Sequence, residues 1–176
     1  MRRDRSMMAQ HKKSASKLHL INDESRAEID QWIAKYPEDQ KQSAVMAALR
    51  ILQDQNKGYL NNDLIDATAE YLEMPPIAVY EVATFYSMYE LEPVGRHKIC
   101  VCTNISCKLC GSDEVVRHLQ ERLGIGPGET SDDGRFTLKE VECLGACVDA
   151  PMFQLGDSYY GKLTPQRIDE ILDGLD

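Results

Sequence analysis

Six cysteines stand in this 176-residue chain, and four of them fall into two tight pairs, Cys102-Thr-Asn-Ile-Ser-Cys107 and Cys143-Leu-Gly-Ala-Cys147. Thirty-six positions separate the pairs. Four thiolates delivered two by two from distant stretches suit a metal centre with tetrahedral sulfur coordination, and a binuclear iron-sulfur cluster is the central expectation. The second pair encloses Gly145 and Ala146, small residues that let backbone approach a metal closely. Backbone N–H groups in such loops can donate to cluster sulfur and offset its negative charge.

The other two cysteines keep alternatives open. Cys100 alternates with Ile99 and Val101 and reads as a small packed side chain. Cys102, Cys107 and Cys110 spell CxxxxCxxC, the start of a plant-type ferredoxin site, with Cys143 as a fourth ligand. Cys107-Lys108-Leu109-Cys110 also has the form of a thioredoxin-like dithiol. A zinc module with four thiolate ligands fits the same spacing. The plant-type set leaves Cys147 without a role, and the dithiol leaves both Cys143 and Cys147 without one. The two-loop set uses both pairs.

Other chemistries have weaker signals. Gly124, Gly126 and Gly128 form GxGxG after a helix, whereas a dinucleotide fingerprint is GxGxxG after a strand. His11, His19, His97 and His118 have no paired spacing, which argues against Rieske and Cys/His zinc centres. Asp132, Asp133, Glu140, Glu142 and Asp149 lie near the site in sequence, either lowering a reduction potential or simply forming solvated surface.

Two regions must position these cysteines. Residues 22–90 read as a helical bundle module of four helices. Ser25 with Glu28 announces the first, which carries Ile29 and Ile33 and stops before Pro37. The second runs from about Gln42 to Asn56 with Gly58 as terminator, and Asn61 or Asn62 caps the third. Pro75-Pro76 breaks that helix and starts a fourth through Ile77, Tyr80, Ala83 and Thr84. Tyr80, Phe85, Tyr86, Met88 and Tyr89 offer more aromatic surface than a small bundle needs, for core packing in at least half and a partner for the rest.

Leu91–Gly95 reads as a linker, and residues 96–176 as a domain of order β-α-β-β-β-α. Its elements are a strand Lys98–Cys102, a helix capped by Ser112, a strand Phe136–Val141, a hairpin across Gly156-Asp157, and a helix begun by Thr164-Pro165. If the first two strands are parallel neighbours joined by the crossover helix, both cysteine loops leave adjacent carboxyl ends, where open α/β sheets bind ligands.

Charge excludes one class of partner. Residues 1–17 carry six Lys/Arg against Asp4, leaving fourteen Lys/Arg and twenty-eight Asp/Glu elsewhere, a net of −14. So acidic a body repels phosphate backbones, and the third and fourth helices, despite their helix-turn-helix spacing, lack Lys and Arg between Leu60 and Val94. No run approaches the ~20 apolar residues of a membrane span, so direct membrane insertion is not expected. The stretch 1–21 reads as a disordered basic tail, with a faint likeness to a mitochondrial transit peptide and none to a secretory signal; the cysteines are read as intracellular.

VCTNISC, DGRFTLKEVECLGACVDAPM and the helix pair ending in VATFYSMY resemble the family of E subunits of bacterial respiratory NADH:quinone oxidoreductase, complex I. The resemblance covers residues from about 25 to 175. It implies a thioredoxin-like ferredoxin domain behind an N-terminal four-helix bundle, and one [2Fe-2S] cluster held by Cys102, Cys107, Cys143 and Cys147. It also implies an electron carrier without an NADH or FMN site of its own. Its expected partners are the FMN-bearing, NADH-oxidising subunit, near whose flavin the cluster acts as an off-path electron store, and the adjacent iron-sulfur subunit. The expected location is cytoplasmic, peripheral to the inner membrane in the hydrophilic arm, or the mitochondrial matrix if the tail is a transit peptide. Cys100 and Cys110 lie outside the ligand pattern.

Overall fold

The computed structural model describes residues 15–175. The chain forms two compact units. One holds the described residues up to Leu52 with Asn61–Ala83; the other holds Gln53–Leu60 with everything from Thr84 onward.

The first unit is helical: α1 (Asp23–Ile33), most of α2 (Val45–Gln55), α3 (Asn62–Leu72) and most of α4 (Pro76–Phe85). Asn22, not Ser25, caps α1, its side chain accepting from the Ser25 N–H at 2.7 Å. Glu28 is drawn instead to Arg50, at 3.5 Å. A 3-10 segment, Glu38–Ala44, occupies the stretch expected as the first turn of α2. Asn61 caps α3 as expected, accepting from the Leu64 N–H at 2.9 Å. α4 buries Val79 and Ala83 and leaves Ile77 and Tyr80 exposed, so its inward face differs from the expected one.

The expected disordered stretch, residues 1–21, lies outside the described residues up to position 14. Beyond that, Leu18–Leu20 forms a 3-10 turn, Ile21 is buried, and Lys17 pairs with Asp63 and Asp66, both at 2.6 Å. Burying Ile21 supplies the apolar gain, since exposed ion pairs are screened by water and contribute little.

The second unit is a four-stranded mixed sheet with helices: β1 (His97–Cys102), α5 (Ile105–Leu109), α6 (Ser112–Leu123), β2 (Phe136–Val141), β3 (Phe153–Leu155), β4 (Ser158–Tyr160) and α7 (Pro165–Asp173). Strand order is β2-β1-β3-β4. β1 and β2 are parallel from His97↔Phe136 to Cys102↔Val141, and the β3–β4 hairpin joins the other edge of β1 antiparallel. One sheet face, with Ile99, Val101, Leu138 and Phe153, packs on Val115 and Leu119 of α6 and Ile168 and Leu172 of α7. Each such side chain contributes roughly 1.5–3 kcal/mol by leaving water.

Two local expectations change here. α6 starts after Gly111, which takes a left-handed φ of 94°, and Ser112 is the first helical residue with a buried hydroxyl rather than the cap. Gly95, expected in a linker, packs on β2: its N–H donates to Thr137 Oγ1 at 2.7 Å, and a Cβ there would meet Phe136 backbone at 2.8 Å. No helix among the described residues is long and apolar enough to cross a membrane.

Candidate metal centre

Parallel pairing of β1 and β2 brings the two cysteine loops to one end of the sheet. Cys102 closes β1 opposite Val141, and Cys143 lies two residues beyond Val141. The crossing is tied by backbone, the Thr103 N–H donating to Val141 O at 2.9 Å. The Cys102 thiol donates to the Glu142 carbonyl at 3.2 Å.

Between the first two cysteines the chain does not remain a loop. Asn104 takes an extended conformation and the five-residue helix α5 follows, turning Cys107 inward while Ile105 and Leu109 face solvent. Cys102 and Cys107 are both buried, in a cluster with Met152 and the half-buried Leu144, Ala146 and Ala150. Burial pushes the Cys107 thiol up to about 11, contact with Cys102 adds to this, and a backbone N–H from Met152 to Sγ opposes it; the charge of Cys147 acts in the raising direction. Cys147 is thus within electrostatic reach of Cys107.

Cys143 and Cys147 are exposed, at the two ends of a loop in which Gly145 has φ 75°. A Cβ at Gly145 would meet nothing within 4 Å, so the glycine answers to backbone conformation, not to crowding. Cys147 opens a 3-10 turn, Cys147–Asp149, followed by a cis Ala150–Pro151 peptide bond. Gly161 underpins that turn: a Cβ on it would overlap Asp149 Cβ and come within 2.6 Å of Asp149 O. Next to it, the Lys162 N–H donates to the same Asp149 oxygen at 2.6 Å.

The structure therefore brings Cys102 and Cys107 into contact and sets Cys147 near them, with Cys143 exposed on the neighbouring loop. Among the described residues, no group of three or more His, Cys, Asp or Glu side chains stands close enough to hold a metal ion. The donor chemistry fits an iron-sulfur cluster: two thiols lie on a packed apolar floor, two lie on the neighbouring glycine-containing loop, and thiolates are the soft donors such a cluster takes.

The competing donors are elsewhere. Cys110 is exposed at the end of α5, its N–H donating to Cys107 O at 3.1 Å, and Cys100 is buried in β1. His97 stacks on Phe136 with centroids 5.5 Å apart, His118 meets Asp169 at 2.9 Å, and His19 bonds Ser16 O; His11 lies outside the described residues. Asp132 and Asp133 precede β2, so the full strand, roughly 20 Å, separates them from the cysteine loops. Asp133 is occupied by Ser131 and the Arg135 N–H, which hold its carboxyl below the usual range. Gly124 ends α6 and Gly128 N–H donates to Leu138 O, so the GxGxG stretch is a structural loop.

Sequence reasoning missed Met152, which packs on Cys102 and Cys107, and Gly161, the support of the second loop. The first has no signature beyond an apolar residue after Pro151. Gly161 carries no motif; only its place directly after a hairpin strand hinted at a close approach.

The family model for the thioredoxin-like [2Fe-2S] ferredoxin matches residues 29–176. Among curated proteins, the NADH-quinone oxidoreductase E subunit of Rickettsia bellii (strain RML369-C) is 48% identical over 143 residues, 81% of this chain and 86% of the relative. The second NADH-quinone oxidoreductase E subunit of Rhizobium meliloti (strain 1021) is 45% identical over 148 residues, 84% and 86% of the two chains. A solved NAD+-reducing [NiFe]-hydrogenase in the air-oxidized state shares the fold, with a TM-score of 0.63 at 22% identity over 73% of this chain and 22% of that one. With the parallel β1–β2 pair, the buried Cys102 and Cys107 and these matches together, the chain belongs to the thioredoxin-like [2Fe-2S] ferredoxin family.

Proposed function

We propose that the chain is the electron-carrier subunit of a NADH-quinone oxidoreductase, holding one [2Fe-2S] cluster on Cys102, Cys107, Cys143 and Cys147. The observation that carries this is the contact of buried Cys102 and Cys107 at the carboxyl ends of two parallel strands, with the Cys143–Cys147 loop leaving the second of them. The cluster supplies reversible one-electron transfer when bound. The chain's own part is to exclude water and hold the sulfurs. Met152, Leu144, Ala146 and Ala150 make an apolar floor, and the Met152 N–H is already directed at Cys107 Sγ. Outer contacts of this kind orient ligands and tune potential.

The dithiol reading fares worse on the same geometry. A catalytic thiol needs exposure and a lowered pKa, whereas Cys107 is buried and pushed up. A zinc module remains chemically compatible with four thiolates and is separated by spectroscopy.

Residues 22–90 act as a four-helix bundle module and residues 96–176 as the cluster domain. The partners are the FMN-bearing, NADH-oxidising subunit and the adjacent iron-sulfur subunit; NADH and FMN are bound there, and the chain is part of the peripheral arm on the cytoplasmic side. Phe85, Tyr86 and Met88 are exposed and form the apolar surface that meets the FMN-bearing partner; of the five aromatic-rich positions only Tyr89 is buried, fewer than the half expected.

Absorbance, EPR, iron and sulfide on anaerobically purified protein test the reading. Two irons and two sulfides per chain, with a rhombic signal after dithionite reduction, are expected. Stoichiometric zinc in a colourless protein would contradict it.

A further inference from the structure

The second face of the sheet carries a charged group that the ligand geometry does not use. Lys98, Cys100 and Cys102 alternate onto one face of β1, and Lys139 of β2 stands in register with Cys100. Over this face Glu90 lies between both ammonium groups, 3.1 Å from Lys98 Nζ and 2.6 Å from Lys139 Nζ. Lys139 Nζ also donates to Ser87 O at 3.0 Å. The strand of chain around Glu90 is held in turn: its N–H donates to Gln53 Oε1 at 2.7 Å, its carbonyl accepts from the Leu60 N–H at 2.7 Å, and Gln53 Nε2 donates to Met88 O at 3.2 Å.

The group is a Lys–Glu–Lys triad with one surplus positive charge, and it is mostly out of solvent. Side-chain exposures are 26%, 14% and 25% for Lys98, Glu90 and Lys139, against 52% for Asp149 beside Cys147. Glu140 and Glu142 are exposed as well. Salt and water screen exposed charges far more than buried ones, so the triad acts at longer reach than the carboxylates on the loops.

We propose that the Lys98–Glu90–Lys139 triad sets the reduction potential of the cluster upward, its surplus positive charge favouring the reduced state. This rests on the reading of Cys102 as a cluster ligand. Reduction adds one electron to the site with no bond made or broken, so a fixed positive charge nearby favours it directly. Cys100 is the single residue on this face between Lys98 and Cys102, so four residues of strand, roughly 13 Å, separate Lys98 from the cluster sulfur, and Lys139, in register with Cys100, stands nearer. At an effective dielectric of ~20, one unit charge at that range changes the reduction equilibrium by about tenfold, or ~59 mV for a one-electron couple.

The experiment is a spectroelectrochemical titration of the cluster-loaded full chain and three variants, at low and high salt. Glu90→Gln should raise the midpoint, while Lys139→Met and Lys98→Met should each lower it, by about tenfold in the equilibrium, with most of the shift surviving high salt. Opposite signs are the deciding feature, because a purely structural role would loosen the same strap and move the variants in one direction. Midpoints unmoved, or moved the same way by Glu90→Gln and Lys139→Met, overturn the proposal while leaving the ligand assignment intact. A wild-type chain that takes up no cluster overturns the ligand assignment, and the triad's role with it. If Glu90→Gln does not fold, Lys98→Met and Lys98→Glu decide together, since the 2.6 Å contact between Lys139 and Glu90 stays in place: a midpoint lowered further by Glu than by Met supports the proposal, and equal or raised midpoints overturn it.

Discussion

At the residue scale the six cysteines divide three and three: Cys100, Cys102 and Cys107 are buried, Cys110, Cys143 and Cys147 exposed. In the cluster-free chain, an alkylating agent at neutral pH should therefore label the exposed three within minutes and the buried three only after denaturant; mass mapping of labelled peptides checks this. The raised Cys107 thiol works in the same direction, because with a pKa pushed up to about 11 almost none of it is thiolate at neutral pH. Cys143→Ala or Cys147→Ala should abolish the visible spectrum of the loaded protein, while Cys110→Ala should leave it nearly unchanged. Loss of colour in Cys110→Ala would favour the plant-type ligand set. The paired spacing of the cysteines was legible in the sequence because ligands are side chains of a distinctive type. Gly161 was not, because its role is to make room for Asp149, and nothing in a string of letters shows which backbone segments touch. Gly161→Ala should cost about 1–3 kcal/mol, as overpacking does, read as a lower denaturant midpoint.

Elements were readable wherever local chemistry decides them. Thr164-Pro165 starts α7, with Thr164 Oγ1 accepting from the Arg167 N–H at 3.3 Å, and the hairpin turns at Gly156, where φ is 56°. The sequence misled where two local solutions compete. Ser25 and Glu28 have capping-box spacing, yet Asn22 reaches the Ser25 N–H first, so the helix begins three residues earlier. Asn22→Ala should accordingly destabilise the fold by about 1 kcal/mol in urea titration, a shift that an uninvolved side chain would not produce. The parallel pairing of β1 with β2, on which the site depends, was inferred from topology rules instead of from any residue. After α4 the role of Glu90 could not be read: it has no periodicity to betray it, and its place over β1 and β2 follows from lysines separated from it by eight and forty-nine positions.

For the whole molecule, surface and charge carry the remaining predictions. An acidic body with exposed Phe85, Tyr86 and Met88 suits docking on a protein surface, not on a polyanion. Phe85→Ser together with Tyr86→Ser should weaken co-purification with the proposed FMN-bearing partner by tenfold or more while the cluster spectrum stays intact; unchanged recovery would place the interface elsewhere. The functional account rests on the four cysteines meeting around one cluster. The most direct test is EPR of the anaerobically purified, dithionite-reduced chain with iron and sulfide counted on the same sample. Two irons, two sulfides and one rhombic spin per chain are the predicted result. A silent spectrum with bound zinc, or a signal that survives both Cys143→Ala and Cys147→Ala, would contradict it.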